Sequence, residues 1–152
     1  RRRLMSQEPL VHRAPMRSRS DDVDAGATVE RALALGVVGV GALGREDEQD
    51  RLARRLERFA TVPEGSFVWT VDVDGLAHVG RITGPLRTDP DGTAVDLVHV
   101  RSCEWRPSAR VPAGVEATFA RGGRNFQQVH APGVGRQTQE IWAELADGAS
   151  TS

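Results

Sequence analysis

His78-Val79-Gly80-Arg81-Ile82-Thr83-Gly84-Pro85 and His99-Val100-Arg101-Ser102-Cys103-Glu104-Trp105 are the two segments whose reading decides the fold. Each mixes β-branched and aromatic residues, and the first ends in a glycine-proline break, so both read as strands. Just upstream, Ser66 to Val73 and Leu76 to Thr83 are two strand-like runs joined at Asp74-Gly75. That dipeptide suits the left-handed turn of a tight hairpin. Gly84-Pro85 ends the second run, and Asp89-Pro90-Asp91-Gly92 is another turn. Ala94 to Val100 then reads as a third strand, with Ser102 to Trp105 continuing it after a kink. Three meandering strands of a small barrel are therefore expected at the centre of the chain.

Working outward, Leu10 to Arg13 is a short strand and Ala14 to Ala27 a loop. Thr28 is placed to cap a helix through Leu35, with Gly36 as its stop. Val37 to Val40 is a buried strand. Glu46 to Ala60 is the clearest helix, with Leu52, Leu56, Phe59 and Ala60 at helical spacing and acids crowding its start. Pro112 can open a helix through Ala120. Asn125 to His130 is a last strand, and Thr138 to Ala146 a closing helix that packs through Ile141, Trp142 and Leu145. The class is α+β, a small barrel of about five to six strands with flanking helices.

The chain has 152 residues, one domain's worth, with 39% hydrophobic and 27% charged residues. Residues 1–9 read as a disordered arm, 10–146 as the domain and 147–152 as a flexible tail. No apolar run approaches bilayer length, no secretory signal is evident, and a single cysteine, Cys103, excludes an internal disulfide. A cytoplasmic protein is expected. All 20 basic residues are arginine. The net charge of −1 argues against a general DNA-coating protein. The distribution is more telling. Residues 21–100 hold eight arginines against fifteen acids, whereas residues 101–136 hold six arginines and two acids. A local basic patch on a neutral protein fits a module that binds one short site.

That patch contains Arg121-Gly122-Gly123-Arg124-Asn125-Phe126-Gln127-Gln128. Two glycines after a helix let backbone N–H groups approach a phosphate. Arg121 and Arg124 can pair with phosphates, and the amides of Asn125, Gln127 and Gln128 can read a base edge. A helix cap with solvated arginines accounts for the glycines but not for the amides. Other motifs carry less. Gly39-Val40-Gly41-Ala42-Leu43-Gly44 matches a dinucleotide fingerprint, but Glu46, Asp47 and Glu48 follow it and would repel a pyrophosphate. The four histidines lack metal-ligand spacing. A Cys103–His99 nucleophile would lack an oxyanion hole, and Asp72 and Asp74 are explained by turn chemistry. No catalytic residue, metal or cofactor is expected.

The strand motif at 80–85 with Val100-Arg101 and Cys103-Glu104-Trp105 resembles the PUA-like domains found at the front of Mrr-type restriction proteins. Val11-His12-Arg13-Ala14 and Leu35-Gly36-Val37-Val38-Gly39-Val40-Gly41 agree with it, and the element order also resembles EVE and YTH domains. The resemblance spans about residues 10–146. It implies a barrel that holds one extruded nucleotide, as in readers of modified bases linked to nucleases. It implies a pocket rim at Arg13, Ala14 and Pro15, at the Gly39–Leu43 turn, and at Trp69. Arg124, Asn125 and Phe126 would occupy a basic loop facing the nucleic acid. Ala42 stands where the Mrr-associated relatives often carry tryptophan, so one stacking wall is missing.

The expected base pocket is thus Arg13, Pro15, Gly41, Leu43, Trp69, Asn125 and Phe126. The expected phosphate contacts are Arg81, Arg101, Arg121, Arg124 and Gln127. The expected partner is nucleic acid, DNA favoured and RNA possible, with a nuclease partner, in a restriction or phage-defence setting. The alternative is a protein-interaction scaffold within a nuclease or toxin system.

Overall fold

In a computed structural model the described residues are 8–18, 20, 22–41, 49–123 and 125–151. Seven strands and four α-helices are formed among them. In chain order they are β1 (Val11–Arg13), α1 (Ala27–Leu35), β2 (Val37–Val40), α2 (Gln49–Thr61), β3 (Phe67–Val71), β4 (Ala77–Ile82), β5 (Arg87–Thr88), a 3-10 helix (Pro90–Val95), β6 (His99–Ser108), α3 (Ala113–Ala120), β7 (Gln127–Gln128) and α4 (Val134–Thr151). The sheet order is β2-β6-β4-β3-β1-β7, with β5 also alongside β6. The α+β class and the curled sheet flanked by helices agree with the sequence reading.

The curl has a visible cause. β6 is ten residues long and changes partner along its length. Its first half pairs with β2, from Val40↔His99 to Val37↔Ser102, and its second half pairs with β4, from Ile82↔Cys103 to Ala77↔Ser108. One twisted strand serving two sets of neighbours bends the sheet at the handover. The expected kink is therefore a change of partner within an unbroken strand.

The Asp74-Gly75 hairpin forms as expected, β3 and β4 pairing from Phe67↔Arg81 to Val71↔Ala77. The Asp72 carboxylate accepts the Asp74 and Leu76 backbone N–H groups and fixes the turn. Two local readings are corrected. Thr28 does not cap α1. The N-cap is Gly26, and the Thr28 hydroxyl donates to the Val95 carbonyl at 2.6 Å, a tertiary tie. The turn expected at Asp89 to Gly92 is the start of a 3-10 helix that takes in Ala94 and Val95, the expected start of the third strand, because Asp89 caps it and Pro90 occupies its first turn. The last helix continues to Thr151, through most of the expected tail. The arm at 1–7 and residues 42–48, where the clearest helix was expected to begin, lie outside the described residues.

Strand alternation splits the core. Phe67, Trp69, Ala77 and Val79 pack with Val115 of α3 and Val134 and Ile141 of α4. Val68, Ile82, Val100 and Cys103 pack on the other side with Val29 and Ala32 of α1 and Phe59 of α2. Among the described residues no helix is long and apolar enough to cross a membrane.

Candidate nucleic-acid interface

Strand parity decides which expected site residues meet. β1 runs parallel to β3 with His12↔Val68 and Arg13↔Trp69 in register. Neighbouring residues on a strand face opposite ways, so Arg13 and Trp69 share the α3–α4 face while His12 shares the other face with Val68. Trp69 has no exposed surface, and its indole Nε1–H donates to Thr138 Oγ1 at 3.1 Å. Arg13 is buried, and its Nη1 donates to the Thr118 carbonyl at 2.7 Å and the Gly122 carbonyl at 2.9 Å. Neither lines the hollow described below, which corrects their expected place in a base pocket.

Arg101 is corrected on the same grounds. It is 2% exposed. Its Nε donates to the Gly84 carbonyl at 2.8 Å, and its Nη1 to the carbonyls of Phe59 at 2.9 Å and Val62 at 2.6 Å. Arg13 and Arg101 thus do one job at two places. Each donates to carbonyls at a helix C-terminus, α3 for Arg13 and α2 for Arg101, where a cation is also favoured by the helix dipole. A guanidinium serves because it offers several donors in one plane.

A hollow opens on the opposite face, between the end of β1, the end of β2, α2 and the approach to β7. Four expected pocket residues line it: Pro15, Gly41, Asn125 and Phe126. Met16 and Val40 add apolar wall, and Asp96, Arg17, Arg55 and Arg58 add charge. Asp96 is 2% exposed and sits in the left-handed region at φ 56°. Its backbone N–H closes the 3-10 helix onto the Gly92 and Thr93 carbonyls. Its Oδ2 accepts the Ser18 hydroxyl at 2.7 Å. A Cβ on Gly41 would fall 2.5 Å from that oxygen, so glycine is what lets β2 end against the carboxylate. The cavity volume is about 60 Å³. An apolar cavity that takes benzene is about 150 Å³, so as it stands the hollow admits the edge of a ring, not a whole nucleotide.

Phe126 forms one wall. Its ring stacks on His12 with centroids 4.9 Å apart and planes 9° apart, and meets Phe59 edge-on at 5.0 Å. His12 Nδ1 is buried without a hydrogen-bond partner. Burial, with His130 nearby, holds the imidazole neutral, its pKa lowered from 6.5 to about 4.

The remaining expected contacts are dispersed. Arg81 is exposed on β4 beside Glu104 of β6, away from the hollow. Arg121 is the exposed C-cap of α3, and Gly122, at φ 77°, donates its N–H to the Phe119 carbonyl. Gly122 thus ends a helix, so its N–H is not available to a phosphate. Gln127 is exposed on β7, next to the hollow rather than in it. Leu43 and Arg124 lie outside the described residues. Cys103 is buried, and burial, with Glu104 beside it, pushes its thiol well above the ordinary range, so it offers no thiolate near neutrality. Among the described residues no three metal-ligating side chains gather.

Sequence reading missed His12, Asp96, Arg55 and Arg58. The arginines had a signal: Arg51, Arg55 and Arg58 recur at helical spacing along α2, a basic stripe beside the apolar one. Asp96 had none, because within the strand expected from Ala94 to Val100 an acid looks like a solvent-facing position.

The chain matches no protein-family model and no curated protein. Among solved structures it is similar to the YTH domain of the Zygosaccharomyces rouxii MRB1 protein in complex with N6-methyladenosine RNA. The two share 15% identity at a TM-score of 0.41, over 89% of this chain and 86% of that one.

Proposed function

We propose that this protein is a non-catalytic module that reads one base extruded from a nucleic-acid strand. The observation that carries the reading is the convergence, around one hollow, of a buried carboxylate, an amide, an aromatic wall and three arginines. Every base presents N–H donors on its pairing edge, and Asp96 and Asn125 can accept them. Phe126 and Met16 supply apolar contact for the ring. Arg17, Arg55 and Arg58 surround the mouth where the sugar-phosphate chain would remain outside. Arg17 and Arg58 are exposed, so they can swing outward to widen the entrance without disturbing the core. Extrusion costs a few kcal/mol, least for a damaged, mismatched or unpaired base. Stacking and edge hydrogen bonds in a dry site must offset it.

DNA is the favoured strand, the base a modified one, and the setting restriction or phage defence with a nuclease partner. The resemblance of residues 80–85 and 100–105 to Mrr-associated domains supports that choice. The test is fluorescence anisotropy with plain and base-methylated DNA and RNA oligonucleotides at two salt concentrations. Wild type should prefer one base form, and Asp96→Asn should weaken that preferred complex about tenfold, the worth of one charge-assisted hydrogen bond. Equal affinity for every base form, unchanged by Asp96→Asn, would remove the reading.

A second reading, a protein-docking scaffold, is favoured by Val73 and Leu76, 53% and 42% exposed beside the β3–β4 turn. It predicts no oligonucleotide binding in the same titration.

A further inference from the structure

A groove runs between α2 and β7, separated from the hollow by the Phe126 wall and sharing Arg55, Arg58 and Asn125 with it. We propose that this groove is a second nucleotide subsite, which holds the nucleotide next to the one whose base is read. The proposal rests on the base-pocket reading above and adds a contact with the neighbouring nucleotide to it. Three observations support it. None of the described residues lining the groove is acidic, although the whole chain has 21 acids. With no acid among its described lining residues, two guanidiniums and the exposed His130, the channel suits an anionic chain. Second, β7 is the last strand of the sheet order, and Gln127 and Gln128 stand exposed on it. Each amide offers a donor and an acceptor, the pair that a base edge requires. Third, His12 lies among the lining residues, 6% exposed, with an Nδ1 that no described residue satisfies. Buried polar atoms of folded proteins nearly always have a partner, and a ligand in the groove or a water beneath it would supply one.

A polynucleotide fits this arrangement because it alternates an anion with a flat hydrogen-bonding ring. One base would enter the hollow beside Phe126. Its phosphate would cross the ridge at Arg55 and Arg58, and the next base would lie against Gln128, which is in register with His12, at the edge where Gln127 is also exposed. An acidic peptide added along β7 would match the charge, but it would leave the adjoining hollow empty.

The experiment separates the two levels. Probes are the 5′-monophosphates of the four plain bases and of N6-methyladenine and 5-methylcytosine, and trinucleotides with each as the central residue. Every trinucleotide is made with natural flanks and with abasic flanks. Wild type should bind natural-flank trimers at least tenfold tighter than abasic-flank trimers of equal charge. The double variant Gln127→Ala/Gln128→Ala should erase that difference and leave mononucleotide affinity unchanged. His130→Ala, also at an exposed position, should reduce the affinity of both trimers equally. If mononucleotides bind and flanks make no difference, the groove proposal is overturned and the pocket stands. If poly-glutamate displaces the trimers as well as nucleic acid does, the groove is a peptide site. If no probe binds, the pocket reading fails and the groove falls with it.

Discussion

On the face covered by α3 and α4, Trp69 and Arg13 stand side by side, both buried, with donors committed to Thr138, Thr118 and Gly122. One residue away on β1, His12 faces the opposite side, equally buried, with a nitrogen that has no partner and a ring stacked on the wall of a hollow. Burial alone therefore does not separate residues packed under helices from residues that border a cavity. What differs is what covers them: Arg13 and Trp69 are bonded to the α3–α4 layer, although Arg13 Nε, like His12 Nδ1, is buried without a partner. On the first face arginine and tryptophan complete helix ends and the core. On the second, Asp96 and Asn125 line the hollow, and His12 lies behind its Phe126 wall and lines the groove.

The largest effect should come from the first face. Trp69→Ala removes a fully buried indole and should cost about 3–5 kcal/mol in urea unfolding, with the affinity of the remaining folded protein unchanged. A variant that unfolds like wild type but loses base discrimination would reverse the assignment of faces. Arg101→Met removes the donor to the Gly84 carbonyl after β4 and to the Phe59 and Val62 carbonyls at the α2 end, and should cost about 3 kcal/mol. Oligonucleotide binding at low denaturant would then keep its salt dependence, which a true phosphate contact would not.

The second face should respond to pH. The His12 pKa is about 4 in the folded protein and 6.5 in the unfolded chain. Between those values the unfolded chain takes up a proton that the native protein refuses, so stability falls as pH drops. The contribution is intact above about pH 6.5, declines through the interval and levels off below about 4, at most about 3 kcal/mol in all. His12→Phe, which keeps the stack on Phe126, should flatten this part of the curve. An unchanged pH profile in that variant would place the sensitivity elsewhere.

The smallest stability effects should be at the rim. Arg58→Ala should shift unfolding by no more than about 0.5 kcal/mol, yet lower the salt slope of oligonucleotide binding by about one. If Arg121→Ala gives that change of slope and Arg58→Ala does not, the phosphates lie against α3 and the comparison of faces needs redrawing.

Local signals were legible from the residues in sequence. Asp74-Gly75 specified its hairpin, Gly36 stopped α1 in a left-handed cap, and Pro112 marked the start of α3. Pro15, Gly41, Asn125 and Phe126 were also legible, and they do line one hollow. The same reading put Arg13 and Trp69 with them, because chemical type favours an aromatic and an arginine near a nucleotide. It passed over Arg55 and Arg58 because the apolar stripe of α2 drew attention from the basic one. β5 is two residues long and left no pattern to find.

Sequence by itself determined the α+β class, the order of the central strands and the types of residue available for binding. These depend on turn chemistry and on periodicity within a few residues. The tertiary structure alone decided which of those residues share a site. β1 pairs in parallel with β3, more than fifty positions away, and that register sends His12 toward the Phe126 wall and the groove, and Arg13 to the opposite face. Side chains alternate along a strand with a period of two, so a register shifted by one residue would exchange their roles. No local feature of either strand encodes that choice. It is made when the helices cover one face of the sheet and leave part of the other open.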